Sequence, residues 1–115
     1  MIWTIQPRSE GAGALSFWQT GQGPPLVLIH GVGLRAEAWG GVVPILAKHF
    51  TVYAVDMPGH GKSPLNDAAH LDDFVARIGA FLAELDGPVC ISGHSMGAMI
   101  ALQLAFENPT KVAAV

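Results

Sequence analysis

The chain has 115 residues, half of them hydrophobic and only 13% charged, with a formal net charge of −3; its mean hydropathy is +0.39 and its pI about 5.9. No basic run or aromatic–basic interleaving offers a nucleic-acid surface, no apolar window reaches membrane-spanning length without Gly, Pro or charge, and the single cysteine, Cys90, excludes an internal disulfide. So apolar a composition fits parallel strands buried on both faces. With no charged leader ahead of a long apolar run, a cytoplasmic protein is the default expectation.

In chain order, residues 2–6 and 15–20 read as two short strands around Ser9-Glu10-Gly11-Ala12-Gly13, an antiparallel edge hairpin. Gly21-Gln22-Gly23-Pro24-Pro25 leads into a third strand, residues 26–30, whose unbroken apolar run suits burial on both faces. After Gly31-Val32-Gly33 a helical stretch carries Trp39, Val42, Val43 and Leu46 on one face. Gly40-Gly41 breaks it, and Pro44 falls in the first turn of the second piece. Residues 51–56 are the fourth strand, followed by the loop Met57-Pro58-Gly59-His60-Gly61-Lys62-Ser63-Pro64. Leu71, Phe74, Val75, Ile78, Phe81, Leu82 and Leu85 then recur at helical spacing, with Asp72 and Asp73 in the first turn to suit the helix dipole. Phe17, Trp18, Trp39, Phe74 and Phe81 are read as core, with lining of an acyl pocket the alternative for Trp39. Cys90 is read as a small hydrophobe in a core strand.

The most informative stretch is Gly93-His94-Ser95-Met96-Gly97. Pro88-Val89-Cys90-Ile91-Ser92 before it reads as a buried strand; Ala98 to Glu107 after it is a helix former stopped by Asn108-Pro109, with Met99 taken as core. Strand, sharp turn and helix in that order form a nucleophile elbow. The turn strains the serine backbone, and glycines at 93 and 97 remove the Cβ clashes. Such a turn lifts the Ser95 hydroxyl clear of the sheet and sets the Met96 N–H at a helix N-terminus, where a developing oxyanion is favoured. The bland alternative is a glycine-rich turn carrying a solvated serine. The chain then ends Lys111-Val112-Ala113-Ala114-Val115, an apolar run that reads as the start of another strand. Residues 1–115 are therefore expected to be the N-terminal portion of a single domain: five strands, three helices and the start of a sixth strand.

Alternating strands and helices argue for an α/β fold with a doubly wound, mostly parallel sheet. Three motifs at successive strand ends sharpen this: His30-Gly31-Val32-Gly33, Asp56-Met57-Pro58-Gly59-His60-Gly61-Lys62-Ser63, and the Ser95 elbow. Together they resemble the α/β-hydrolase superfamily, in its esterase- and lipase-like branch with an HGxG loop, over essentially the whole chain. The resemblance implies Ser95 as nucleophile and the N–H groups of Met96 and Val32 as the oxyanion hole. His30, Gly31, Gly33, Gly93, His94 and Gly97 would shape the site, and the Asp56 loop would be structural. Serine rather than aspartate in the elbow disfavours the haloalkane dehalogenase and epoxide hydrolase branches. The family's acid and histidine follow the nucleophile on later loops, beyond these residues.

None of the five histidines is a ready substitute for that base. His94 neighbours Ser95, but adjacent residues in a tight turn point apart, and it is expected to pack beneath the elbow. His30 is expected to bond to backbone and shape its loop; His49, His60 and His70 belong to helix ends or the Asp56 loop. Metal-ligand spacing is missing, and no cofactor is implied. The expected activity is hydrolysis of a small-molecule carboxylic ester or related acyl bond through an acyl-enzyme. Enol-lactone or carbon–carbon bond hydrolysis is the alternative, and a catalytically incomplete fragment or piece of a split protein is the non-enzymatic rival. In that last case the fifth strand is expected to be an unpaired edge, covered by a C-terminal remainder or a second chain.

Overall fold

The computed structural model describes residues 15–63, 65 and 70–115, together with the backbone of Thr4–Ile5. The remainder of the expected first strand, the Ser9–Gly13 linker and Pro64 lie outside the described residues. Among the described residues six strands form one sheet: β1 (Thr4–Ile5), β2 (Phe17–Gly21), β3 (Pro25–Ile29), β4 (Thr51–Val55), β5 (Val89–Gly93) and β6 (Val112–Ala114), in the order β1-β2-β4-β3-β5-β6. The first two pairings, β1 with β2 and β2 with β4, are antiparallel, and β4, β3, β5 and β6 run parallel. Among the described residues no helix is long and apolar enough to cross a membrane.

Period-two alternation divides the apolar strands between two cores. Val27, Ile29, Val55, Val89 and Ile91 face α2 (Leu71–Ala83) and α3 (Met96–Glu107), where they pack with Ile78, Phe81, Leu82, Ile100 and Leu104. Leu26, Leu28, Val52 and Ala54 face the other way, onto Ala36, Val43 and the half-buried Trp18, Trp39 and Leu46. That second layer is thin: a 3₁₀ turn (Ala36–Trp39) and the short helix α1 (Val43–Leu46), with Pro44 in its first turn. The glycine pair divides the two pieces as the sequence predicts, but Val42 falls between them and is exposed, so it joins no buried face. Along α2 the backbone N–H of His70 donates to the Asp73 carboxylate (3.0 Å), closing the first turn. At the far end of α3 the Asn108 side chain donates to the Leu104 carbonyl (3.0 Å) and stops the helix.

Two expectations change at the C-terminal end. Strand β5 is not an edge, since β6 pairs with it in parallel, so among the described residues the sheet ends on that side with the three residues of β6. Met99 is not core either. It is exposed with Leu102 and Phe106 on the outer face of α3, while Ile100, Ala101 and Leu104 carry the packing on the inner face. A helix apolar on all sides gives no periodic signal of which face is inward.

Candidate active site

The sheet reverses its winding at β3. The connection leaving β3 crosses the α1 face, and the one leaving β5 crosses the opposite face through α3. Neighbouring parallel strands whose connections part in this way leave a crevice at their carboxyl ends. The His30–Gly33 turn follows β3 and the Gly93–Gly97 elbow follows β5, so both motifs stand at that crevice.

Ser95 has φ 57 and ψ −119, and it is the one non-glycine with positive φ among the described residues. Its side chain is exposed and makes no capping bond to α3. The glycines around it permit two close approaches. A Cβ on Gly97 would lie 2.7 Å from the His30 carbonyl oxygen and overlap that of Ile29, so only glycine lets α3 start against the end of β3. A Cβ on Gly93 would overlap the Gly97 carbonyl. The elbow is tied down by the His94 N–H to Ile29 O (3.0 Å) and the Gly97 N–H to His94 O (2.9 Å). The Ala98 N–H bonds to Ser95 O (2.9 Å), and the Met96 N–H, in the first turn of α3, has no intrahelical acceptor.

The β3 turn lies directly against this elbow: a Cβ on Gly31 would sit 3.1 Å from His94 Nδ1 and 3.3 Å from Ser95 Cβ. The Leu34 N–H bonds to Gly31 O (3.1 Å), closing a four-residue turn with Gly33 at φ 82, a value that favours glycine at the third position. Val32, at the second position, is exposed. His30 is buried, accepts the Met57 N–H at Nε2 (3.0 Å) and donates from Nδ1 to Gly31 O (2.7 Å). Burial holds its pKa below the usual value, and His60 lowers it further; the bond to Gly31 and the Asp56 and Glu37 carboxylates act in the opposite direction.

Asp56 is committed to structure. Its carboxylate is buried and accepts from the Ala36 N–H (2.8 Å), the Ser16 hydroxyl (2.6 Å) and the Lys62 N–H (3.1 Å). The Ser63 hydroxyl donates to the Asp56 carbonyl (2.6 Å) and accepts the Ser16 N–H (2.9 Å). One side chain thus joins the approach to β2, the start of the 3₁₀ turn and the loop after β4. Ser16 and Ala36 are far from it in sequence and carry no motif of their own, so pattern alone did not reveal these partners.

His94 departs from expectation. It does not pack beneath the elbow but is exposed, and it lines a cavity of about 400 Å³ with His30, Gly31, Leu34, Ala38, Trp39, Ser92 and Gly93. Ser92, two residues after Cys90 on the same face of β5, is exposed to this cavity. Trp39 lines this cavity and also packs in the second core. Among the described residues no histidine hydrogen-bonds to the Ser95 hydroxyl, and no group of three His, Cys, Asp or Glu side chains is placed to hold a metal.

Comparison with known proteins bears on the family and the fold. A family model described as "Alpha/beta hydrolase family" matches residues 26–115. The chain is 44% identical over 98 residues to the (E)-2-((N-methylformamido)methylene)succinate hydrolase of Acinetobacter baylyi, covering 84% of this chain and 37% of that protein. It is 37% identical over 100 residues to a pimeloyl-[acyl-carrier protein] methyl ester esterase of Aeromonas hydrophila, covering 86% and 39%. Among solved structures it is similar to the CarC enzyme, a serine hydrolase involved in carbazole degradation, with 31% identity and a TM-score of 0.86 over 96% of this chain and 45% of that one. The chain thus spans about two fifths of the length of the curated relatives it matches. With its reversed parallel sheet, its elbow and this family match, the chain belongs to the α/β-hydrolase family.

Proposed function

We propose that the protein is a serine hydrolase of a small-molecule carboxylic ester or related acyl bond, with Ser95 as nucleophile. The observation that carries this reading is the strained, exposed Ser95 at the crevice, φ 57 and ψ −119, at the start of α3. A strained residue persists only where its surroundings over-determine it, and such residues cluster at functional sites. Ser95 Oγ attacks the carbonyl carbon while a general base outside these residues takes its proton. The tetrahedral oxyanion is held by the N–H groups of Met96 and Val32; its collapse breaks the bond to the leaving group, which departs with the proton the base took, and water then hydrolyses the acyl-enzyme to release the acid and restore the Ser95 hydroxyl. The named activities of the relatives, a substituted-succinate hydrolase and a methyl ester esterase, support an ester or acyl substrate.

A second reading applies to the 115 residues alone: they are a catalytically incomplete fragment, or one piece of a split protein, without turnover of their own. It is favoured by the 37% share of the Acinetobacter relative that they span and by the lack of a histidine on Ser95 among the described residues. Both readings are tested by fluorophosphonate labelling and nitrophenyl ester hydrolysis, with Ser95→Ala as control. Labelling and turnover should vanish with Ser95→Ala; if they persist, the nucleophile is wrongly assigned. Rapid, Ser95-dependent turnover by the 115 residues alone would overturn the second reading.

A further inference from the structure

The β3 turn at the crevice and the loop after β4 hold each other through a reciprocal pair of histidines. His30, at the end of β3, accepts the Met57 N–H of the loop after β4; His60, on that loop, accepts the Gly33 N–H of the β3 turn (both 3.0 Å). Each ring donates its other nitrogen to a carbonyl of its own segment, Gly31 O for His30 (2.7 Å) and Pro58 O for His60 (3.0 Å). Accepting at Nε2 requires that nitrogen to be bare, so both rings are neutral and carry their proton on Nδ1. The ring centroids are 5.1 Å apart, and Phe74 of α2 meets the His60 ring edge-on at 6.5 Å.

Val32 lies between the two peptide groups that these rings pin. Its own N–H shares a planar trans peptide with the Gly31 carbonyl and points the opposite way. That carbonyl accepts from both His30 Nδ1 and the Leu34 N–H, so the plane cannot turn without losing two bonds. The following peptide carries the Gly33 N–H, held by His60 Nε2. We infer that His30 and His60 are positioning residues that together fix the direction of the Val32 N–H, with His60 reaching from the neighbouring loop to do so. This rests on the reading of Val32 as an oxyanion donor, and it makes the loop after β4 part of the site's geometry and not only of its packing.

Imidazole ¹⁵N spectra of the folded protein give the first test. Both His30 and His60 should show the Nδ1–H tautomer, and an Nε2–H signature from either would overturn the clamp. Gly33 amide exchange and ester kinetics of His60 variants, on the form that turns over a nitrophenyl ester, give the second. His60→Phe should speed Gly33 exchange and lower kcat about tenfold, since a displaced oxyanion donor loses part of the 10²–10³ that its removal costs, with KM little changed. His60→Gln, whose Oε1 can reach the place of Nε2, should recover most of both; His60→Asn, which is shorter, should not. Fast Gly33 exchange with an unchanged kcat would refute the positioning role while leaving Ser95 as nucleophile. Hydrolysis surviving Ser95→Ala would refute the reading of the site, and the tautomer spectra would still decide the clamp.

Discussion

Replacing Ser95 by glycine should make the fold more stable than the wild type. The backbone at φ 57, ψ −119 lies off the wells open to residues with a Cβ, and such a residue costs about 1–3 kcal/mol. Glycine relieves that strain but adds freedom to the unfolded chain, worth about 0.5–1 kcal/mol in the opposite sense. The difference leaves Ser95→Gly ahead by about 1 kcal/mol, within a range of roughly 0–2.5 kcal/mol. Ordinary helix caps behave otherwise: there glycine is a few tenths of a kcal/mol worse than serine, because the serine oxygen caps the helix. Ser95 makes no such bond. Ser95→Ala keeps the Cβ and the strain, and its stability should stay within about 0.5 kcal/mol of wild type. Urea unfolding of the three proteins resolves this, since slopes of about 1–3 kcal/mol/M turn the expected gain into a midpoint rise of a few tenths of a molar or more. A glycine variant no more stable than wild type, at unchanged slope, would refute the claim that the elbow stores strain.

Two further outcomes follow from burial. The lowered pKa of His30 means that, as pH falls below about 6.5, the unfolded chain takes up its proton first. Its stabilising contribution is therefore complete above that pH and is lost as pH drops toward the folded value, at up to about 1.4 kcal/mol per pH unit. Urea midpoints at pH 7.5 and 5.5 should differ less in His30→Gln than in wild type; equal differences would show that His30 carries none of the effect. On α3, Ile100→Ala should cost about 2–5 kcal/mol because its side chain is fully buried against both the sheet and α2, whereas Phe106→Ser, 82% exposed, should stay within about 0.5 kcal/mol. Thermal or urea melts of the pair check this, and comparable losses would mean that the outer face of α3 is packed.

What could be read from the sequence was whatever is encoded locally. The unbroken Leu26–Ile29 run signals a strand buried on both faces, and its alternate residues do divide between the two cores. The Ser95 elbow was legible because strand, glycine spacing and helix lie side by side in the chain. The rest depends on which distant segments meet. Nothing near His60 announces that its ring accepts a hydrogen bond from the Gly33 N–H, and nothing near Asp56 points to Ser16 or Ala36. The exposure of His94 and Met99 was missed for a related reason: each sits on a face whose covering depends on neighbours far away in the chain.

The place of β3 has a consequence for how the molecule comes together. Leu28 lies opposite Ala54 on one side and Ser92 on the other, so this greasy strand can be paired only by segments made after it. Parallel pairing needs long crossovers, and contacts so distant along the chain close slowly. During synthesis the Leu26–Ile29 run therefore waits until β4 and then β5 have emerged, exposed to wrong partners in the interval. The crevice comes into being with the second of those pairings, after the apolar strand that borders it has already been made.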